Sequence, residues 1–439
     1  MLGIRRRDVI ALLGGTVAWP MLARSRSAVP VIGFLRNKRQ WTRSLAAALA
    51  AANMAACAGP GTPDTVTLGA VVQLTGGLAD TGRYYRDAYQ FAVDKINDKG
   101  GITVGGKTYK LALRLLDNKS DAKLDASQQE QLLSKEKVQF LLGPFSSNDV
   151  LAVSPLAEKY QAPMIQAGGA SSKIFSRGYK YVFGTLPAAE DYFASTIEMI
   201  GQLTPKAKTV GLVLGDDSFD LSLAQATIAR LHKAGLDVIL EQQYSERTPN
   251  FYNILTLIEA KAPDALLWSG HETGAINFIR QSKARNISPN LLACFTTAPT
   301  ANFHAALGKD ANYAFGMTPW LPTERLKDRW FGDASQFARA YEEKFGYAPP
   351  YLAAAAVAAV ETHVMAMEAA GTFDPNMVRD AIAKLEFDSV YGRVRFGENG
   401  QIALPQTVIQ IQNDQVIEVF TDKFINRPLY PVPAWNKRP

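Results

Sequence analysis

From residue 66 to residue 294 the chain repeats one pattern: a short apolar run, a small polar turn, then ten or more residues with apolar positions at helical spacing. Strands are expected over 66–74, 109–116, 138–142, 163–166 and 181–185, with helices over 82–98, 124–137 and 149–160. In the first helix Tyr85, Ala88, Ala92 and Ile96 share a face. The pattern then restarts, with a helix from 191, strands over 209–214, 237–241, 265–268 and 290–294, and helices over 221–234, 251–261 and 274–284. Parallel strands can be joined only by crossovers, and such series pack helices on both faces of the sheet. Two tandem series therefore predict an α/β protein of two doubly wound lobes. Beyond them a strand near 313–317, helices over 335–345, 353–370 and 376–384, and an antiparallel end at 394–396, 408–412 and 416–420 complete the reading. At 439 residues and 47% hydrophobic content, the chain has material for two cores.

Net charge of +6 suggests a basic protein until it is divided along the chain. Residues 1–60 hold nine Lys or Arg against the single acid Asp8, a balance of +8, so the overall +6 less that +8 leaves −2 for the remainder. A near-neutral body without a Lys/Arg stripe has no footprint for nucleic acid. The first 60 residues read as an export leader. Arg5-Arg6-Arg7 before Val9 to Gly15 resembles a twin-arginine signal. A second basic-then-apolar stretch ends at Met54-Ala55-Ala56-Cys57, a loose lipobox. Lipidation of Cys57 and an ordinary small residue near a cleavage site both fit, as do a functional double leader and a fused or misassigned start. No apolar run of about 20 residues, the length needed to span a bilayer, follows residue 60. Cys57 and Cys294 are the only cysteines, too few for a disulfide framework or a thiolate zinc site, and no metal or cofactor is expected.

In open α/β sheets the ligand crevice lies beyond the carboxyl ends of the strands. The loop Gly143-Pro144-Phe145-Ser146-Ser147 sits there and feeds a helix N-terminus, where free N–H groups and the macrodipole favour an anion. One serine suffices to cap a helix. A second, beside an aromatic ring, adds a donor for a ligand. Thr81 in the loop after the first strand and the run Ala167-Gly168-Gly169-Ala170 after the fourth occupy equivalent places. So do Gly215-Asp216-Asp217-Ser218-Phe219 and Trp268-Ser269-Gly270-His271-Glu272 in the second series. Asp216-Asp217 reads as a solvated loop or helix cap.

The runs "VTLGAVVQLTGGLADTGRYYRDAYQFAVDKINDKGGI", "LLGPFSSND", "PMIQAGGASSKIF" and "TVGLVLGDDSFDLSLAQA" resemble periplasmic solute-binding proteins of ABC importers, of the branched-chain amino acid type. The resemblance covers roughly residues 64–425 and implies the type I periplasmic binding fold, two Rossmann-like lobes joined by three hinge crossings, expected near 186, 316 and 390. Lobe one would comprise 64–186 plus 317–390, lobe two 187–316 plus 391–425, and 426–439 a C-terminal tail. It implies binding of an amino acid or related carboxylate between the lobes, with an ABC permease and ATPase as partners, outside the cytoplasm and at the membrane only through a possible lipid anchor. By position it places Ser147, with the backbone around Ser146, Gly168 and Ala170, at the carboxylate grip, Thr81 in the pocket lining, Phe219 over the ligand, and His271, Trp268 and Ser269 at the second wall. Near Thr296 the family's amino-acid binders carry an acid for the α-ammonium, and "CFTTAPT" has none. That departure weakens the amino-acid reading and favours a carboxylate lacking the amine, since a buried ammonium needs a counter-charge. Phe145, Phe219, Trp268 and Trp320 are candidates to line an aromatic-sized pocket. The family's first-lobe disulfide is absent here.

Two rival classes remain in view. An α/β hydrolase is the weaker, since His232, His271, His304 and His363 show no metal-ligand spacing and no G-x-S-x-G elbow occurs. A ligand-sensing clamp would need a separate signalling receptor as partner.

Overall fold

The computed structural model describes residues 65–439; both leader segments and Cys57 lie outside them. The first series forms β1 (Thr65–Val72), α1 (Ala79–Asp98), β2 (Ile102–Val104), β3 (Lys107–Asp117), α2 (Ala122–Ser134), β4 (Phe140–Leu142), α3 (Ser147–Tyr160), β5 (Met164–Gln166), α4 (Ser172–Phe175) and β6 (Val182–Gly184). The second forms α5 (Ala194–Gln202), β7 (Thr209–Leu214), α6 (Ser218–Lys233), β8 (Asp237–Gln243), α7 (Tyr252–Lys261), β9 (Ala265–Trp268), α8 (Glu272–Ala284), β10 (Leu291–Cys294), α9 (Ala301–Leu307) and β11 (Phe315–Thr318). Then come α10 (Ala334–Phe345), α11 (Tyr351–Ala370), α12 (Pro375–Ile382), β12 (Glu386–Ser389), β13 (Gly392–Arg395), β14 (Thr407–Gln412) and β15 (Gln415–Phe420).

Lobe one is built on a six-stranded sheet of order β2-β3-β1-β4-β5-β6, parallel except at the β2–β3 edge. Lobe two has seven strands in the order β15-β14-β11-β10-β9-β7-β8, parallel from β8 to β11, with β14 and β15 added antiparallel. The central strands are apolar on both faces because helices cover both. The α1 face expected from the sequence is the buried one: Tyr85, Ala88, Ala92 and Ile96 have no exposed surface.

Against the expectation that no such segment follows residue 60, helix α11 is long and apolar enough by length and composition to cross a membrane, yet most of it is buried inside the protein. Its alanines let it lie close against α1, β4 and β5. Residues 396–402 run beside β6: Gly184 N–H donates to Gly400 O at 2.9 Å, and Ile402 N–H to Gly184 O at 3.1 Å. The third crossing between the sheets thus falls just before β14, not near 390, because this segment is hydrogen-bonded to lobe one before β14 joins lobe two. Residues 426–439 are strapped onto lobe two. Val432 N–H donates to Asn290 O at 2.8 Å, Trp435 Nε1 to Ile287 O at 2.8 Å, and the Arg438 guanidinium lies 3.4 Å from the Trp435 ring centre.

Candidate functional site

The strand ends of the two lobes face one cavity, with about 730 Å³ of atom-free space including its mouth. Thr81, Phe145, Ser146, Ser147, Gly168, Ala170, Phe219, His271 and Thr296 all line it. Five helices at its wall start earlier than their apolar spacing predicts: α1 at Ala79, α3 at Ser147, α6 at Ser218, α8 at Glu272 and α11 at Tyr351. In their first turns Thr81, Ser147, Phe219, Glu272 and Tyr351 line the cavity, a role that core periodicity does not reveal.

On lobe one, Ser146 is the N-cap of α3 with φ of +73°. Its Oγ donates to Asp149 Oδ2 at 2.8 Å and accepts from Asp149 N–H at 3.1 Å. That hydroxyl is spent as a cap. Gln73, just past β1, locks the turn by donating to Asp149 Oδ2 at 2.8 Å and to Phe145 O at 2.9 Å. Tyr85 and Tyr89 of α1 donate to Ala167 O and Gly143 O, tying the loops to the core helix. Ser147 Oγ accepts from Ala170 N–H and Ser171 N–H, each at 3.1 Å. This corrects the expected grip. The amides of Ala170 and, through Gln166 Oε1 at 2.9 Å, Gly168 are already satisfied by protein. What this wall offers an anion is the Ser147 hydroxyl proton and the orphan N–H groups of the first α3 turn. Gly168 lets its loop lie against the Pro144–Phe145 backbone: a Cβ there would lie 2.1 Å from Pro144 O.

On lobe two, Asp217 caps α6, accepting from Phe219 N–H at 2.8 Å and Asp220 N–H at 2.9 Å. It is buried rather than solvated. His271 Nε2 lies 3.4 Å from Asp217 Oδ2, and His271 N–H donates to Glu246 Oε2 at 3.2 Å. Burial opposes charging of the imidazole, but the Asp217 bond and the charges of Glu246, Asp217 and Asp220 outweigh it and push His271 up to about 9. Asp220, buried beside Asp217 and accepting from the Ser269 hydroxyl, is held well above the usual carboxyl range. The second wall therefore carries an imidazolium, set edge-on to Phe145 across the cleft at 5.5 Å between ring centres.

Trp268 and Ser269 do not reach the cavity. Both are fully buried; Trp268 stacks on Tyr244 at 5.7 Å in the outer core of lobe two. Trp320 is likewise packed inside, its Nε1 donating to Val390 O at 2.7 Å. The aromatic lining comes from Phe219, Tyr192 and Phe295, with ring centres 5.1–5.3 Å apart, and from Tyr84 and Tyr351. Sequence reasoning passed over Tyr84, Tyr192, Phe295 and Tyr351, and it placed Glu272 in a strand-end loop without giving it a role. For the first two, the signal was an aromatic beside a strand-end loop.

The closed arrangement is latched at its rim. Ser218 donates from N–H and Oγ to Asn148 Oδ1 at 3.2 and 2.6 Å, and the hydroxyls of Ser171 and Ser222 lie 2.7 Å apart. His363 is buried, hydrogen-bonded to Leu141 O, and pushed down to about 4 by burial. His304 meets Ala298 O, and His232 is exposed. Among the described residues no group of three or more His, Cys, Asp or Glu is placed to hold a metal ion.

A sequence profile of the periplasmic binding protein family matches residues 65–415, and the chain belongs to that family. Leu/Ile/Val-binding protein homolog 8 of Brucella abortus (strain 2308) is 25% identical over 366 residues, 76% of this chain and 85% of the relative. The leucine-binding protein of Thermotoga maritima superimposes with a TM-score of 0.72 at 22% identity, covering 82% of this chain and 99% of that one. An ABC-transporter solute-binding protein of Rhodopseudomonas palustris BisB5, in complex with 3,4-dihydroxybenzoic acid, gives a TM-score of 0.72 at 20% identity, covering 83% and 99%. The type I periplasmic binding fold expected from the loops is the fold observed.

Proposed function

We propose that this periplasmic binding protein is the solute receptor of an ABC importer, closing its lobes on a small organic carboxylate, an amino acid or an aromatic acid. The observation that carries the reading is the cavity itself. One wall presents the Ser147 hydroxyl and the α3 N-terminus, the other the His271 imidazolium and an aromatic cage. Each charge-assisted bond from those donors to a carboxylate contributes about 1.5–3 kcal/mol. Micromolar affinity, about −8 kcal/mol, needs only a few of them with ring burial. The names of the relatives, a Leu/Ile/Val-binding homologue and a binder of 3,4-dihydroxybenzoic acid, support both halves of the ligand range. The protein would act outside the cytoplasm, free or tethered through Cys57. The Asn148–Ser218 and Ser171–Ser222 latches hold the liganded shape that a permease and ATPase complex would recognise.

Calorimetric titration with amino acids and aromatic carboxylates, followed by NMR of the recovered ligand, tests this reading. Saturable binding with the ligand recovered unchanged is expected. Failure of every carboxylate to bind, or chemical conversion of the one that does, refutes it.

A further inference from the structure

Away from the cleft, the apolar helix α11 carries an acid at its middle. Glu361 has no exposed surface, and neither of its carboxyl oxygens meets a donor. Its carboxyl lies within hydrogen-bonding reach of the Asp328 carboxyl, which is also buried. Asp328 belongs to residues 319–333, the stretch that carries the chain from β11 of lobe two to α10, whose Phe337 and Tyr341 pack on Phe91 of α1 in lobe one. Its Oδ1 is fixed by Trp330 N–H and Phe331 N–H, each at 2.6 Å, while Oδ2 is buried without a donor. Two acids are thus shut against each other with three oxygens unsatisfied.

The charges on the elements packed around α11 are engaged elsewhere. On α1, Asp87 pairs with Arg86, Asp94 pairs with Lys344 of α10, Lys95 lies over the Phe331 ring at 6.0 Å and Arg83 over the Tyr347 ring at 4.5 Å. On α11 itself Glu368 holds Arg329, and the His363 ring meets Leu141 O. On α12 Arg379 pairs with Asp380, the Tyr341 hydroxyl of α10 meets that of Tyr347, and Arg339, Glu342 and Glu343 of α10 are exposed. Strands β2, β4 and β5 carry no ionisable side chain. Two ionised carboxylates in contact inside a core repel each other without compensation, whereas one proton between them removes a charge and makes a hydrogen bond. A hard metal ion needs six or so oxygen ligands. Here the turn presents N–H groups to Asp328, the α11 positions one turn from Glu361 are Val357, Ala358 and Val364, and no group of three or more His, Cys, Asp or Glu among the described residues is placed to hold a metal.

We propose that Glu361 and Asp328 form a proton-binding site, in which Glu361 donates one shared proton to Asp328 Oδ2 and so bolts the interlobe stretch 319–333 onto α11. Loss of that proton to solvent leaves two buried charges face to face and releases the stretch. Burial and the Asp328 charge hold the Glu361 carboxyl well above its ordinary range, the direction this arrangement requires.

Opening or unfolding lets Glu361 release its proton above about pH 4.3, while the packed pair keeps it. The contribution is therefore fully present below that pH and falls about tenfold in equilibrium constant per pH unit until the packed pair itself ionises. Glu361→Gln keeps a donor to Asp328 and has no proton to lose. In denaturant unfolding of the ligand-free protein over a pH series, wild type should lose stability against Glu361→Gln by about that factor per pH unit. The His271 titration is common to both proteins and drops out of the comparison. Hydrogen exchange reads the site directly: protection factors of the Trp330 and Phe331 amides should fall about tenfold per pH unit in wild type and stay level in the variant. Should Glu361→Gln fail to fold, the wild-type protection factors decide the matter alone. Parallel stability profiles, or wild-type protection that is level with pH, overturn the proposal. A melting temperature lowered by EDTA and restored by calcium overturns it too, in favour of a bound cation.

Discussion

Ser147→Ala probes the lobe-one wall through two separate losses. Ser147 Oγ is the acceptor for two buried amides, Ala170 N–H and Ser171 N–H, at 3.1 Å each. Alanine leaves both donors unpaired, and an orphaned buried donor costs about 1–3 kcal/mol. Since one oxygen serves both and the loop can relax, a loss of about 2–4 kcal/mol in folding stability is expected. At about 2–4 °C per kcal/mol for a large domain, melting of the ligand-free protein should fall by at least about 4 °C. The second loss is the hydroxyl proton aimed at the carboxylate, about 1.5–3 kcal/mol, or tenfold to somewhat over a hundredfold in Kd. Differential scanning calorimetry without ligand reads the first effect, and isothermal titration of the folded variant reads the second. Ser146→Ala is the control. Its hydroxyl is confined to Asp149, so it should lose about 1 kcal/mol as a helix cap and leave Kd within a few-fold of wild type. An unchanged melting temperature in Ser147→Ala, or equal weakening of binding by both variants, would refute this division of labour between the two serines.

His271, raised from an ordinary 6.5 to about 9, stabilises lobe two fully below pH 6.5, and that contribution is lost as pH rises through about 9. Melting temperature should therefore decline across this window, and the decline should be shallower in His271→Gln; superimposable pH profiles would show that no imidazolium pair is present. Trp435→Ala removes a buried ring, its bond to Ile287 O and its stacking with Arg438. A loss of about 3 kcal/mol in denaturant unfolding with unaltered ligand affinity is expected, and a wild-type midpoint would mean that the C-terminal strap contributes nothing.

Much of the architecture is readable in the chain because strand and helix periodicities differ and each apolar run is bounded by small polar residues. The alternation led to two parallel sheets and an antiparallel end, and the strand-end loops located the cleft. The site residues were less legible, for reasons that differ by position. Trp268 lies on a strand covered on both faces, where Leu266 and Trp268 point to one core and Ala265 and Leu267 to the other. Nothing in an unbroken apolar strand says which face meets the ligand side. Helix starts were placed late at α1, α3, α6, α8 and α11 because first-turn residues such as Ser147, Phe219 and Glu272 line the cavity and follow no core periodicity. The third crossing was placed early because the pairing of residues 396–402 with β6 is a contact between segments more than two hundred residues apart.

The order of strands, helices and turns, the two lobes and the cleft between them follow from local pattern, because backbone geometry and crossover rules leave few other arrangements. Tertiary structure alone decided how the polar groups are spent. Ser146 is consumed by Asp149 and Ala170 N–H by Ser147, and Asp217 holds His271 as a cation. A hydrogen bond needs its partner within a narrow range of distance and angle, and which partner arrives depends on loops brought together from distant parts of the chain.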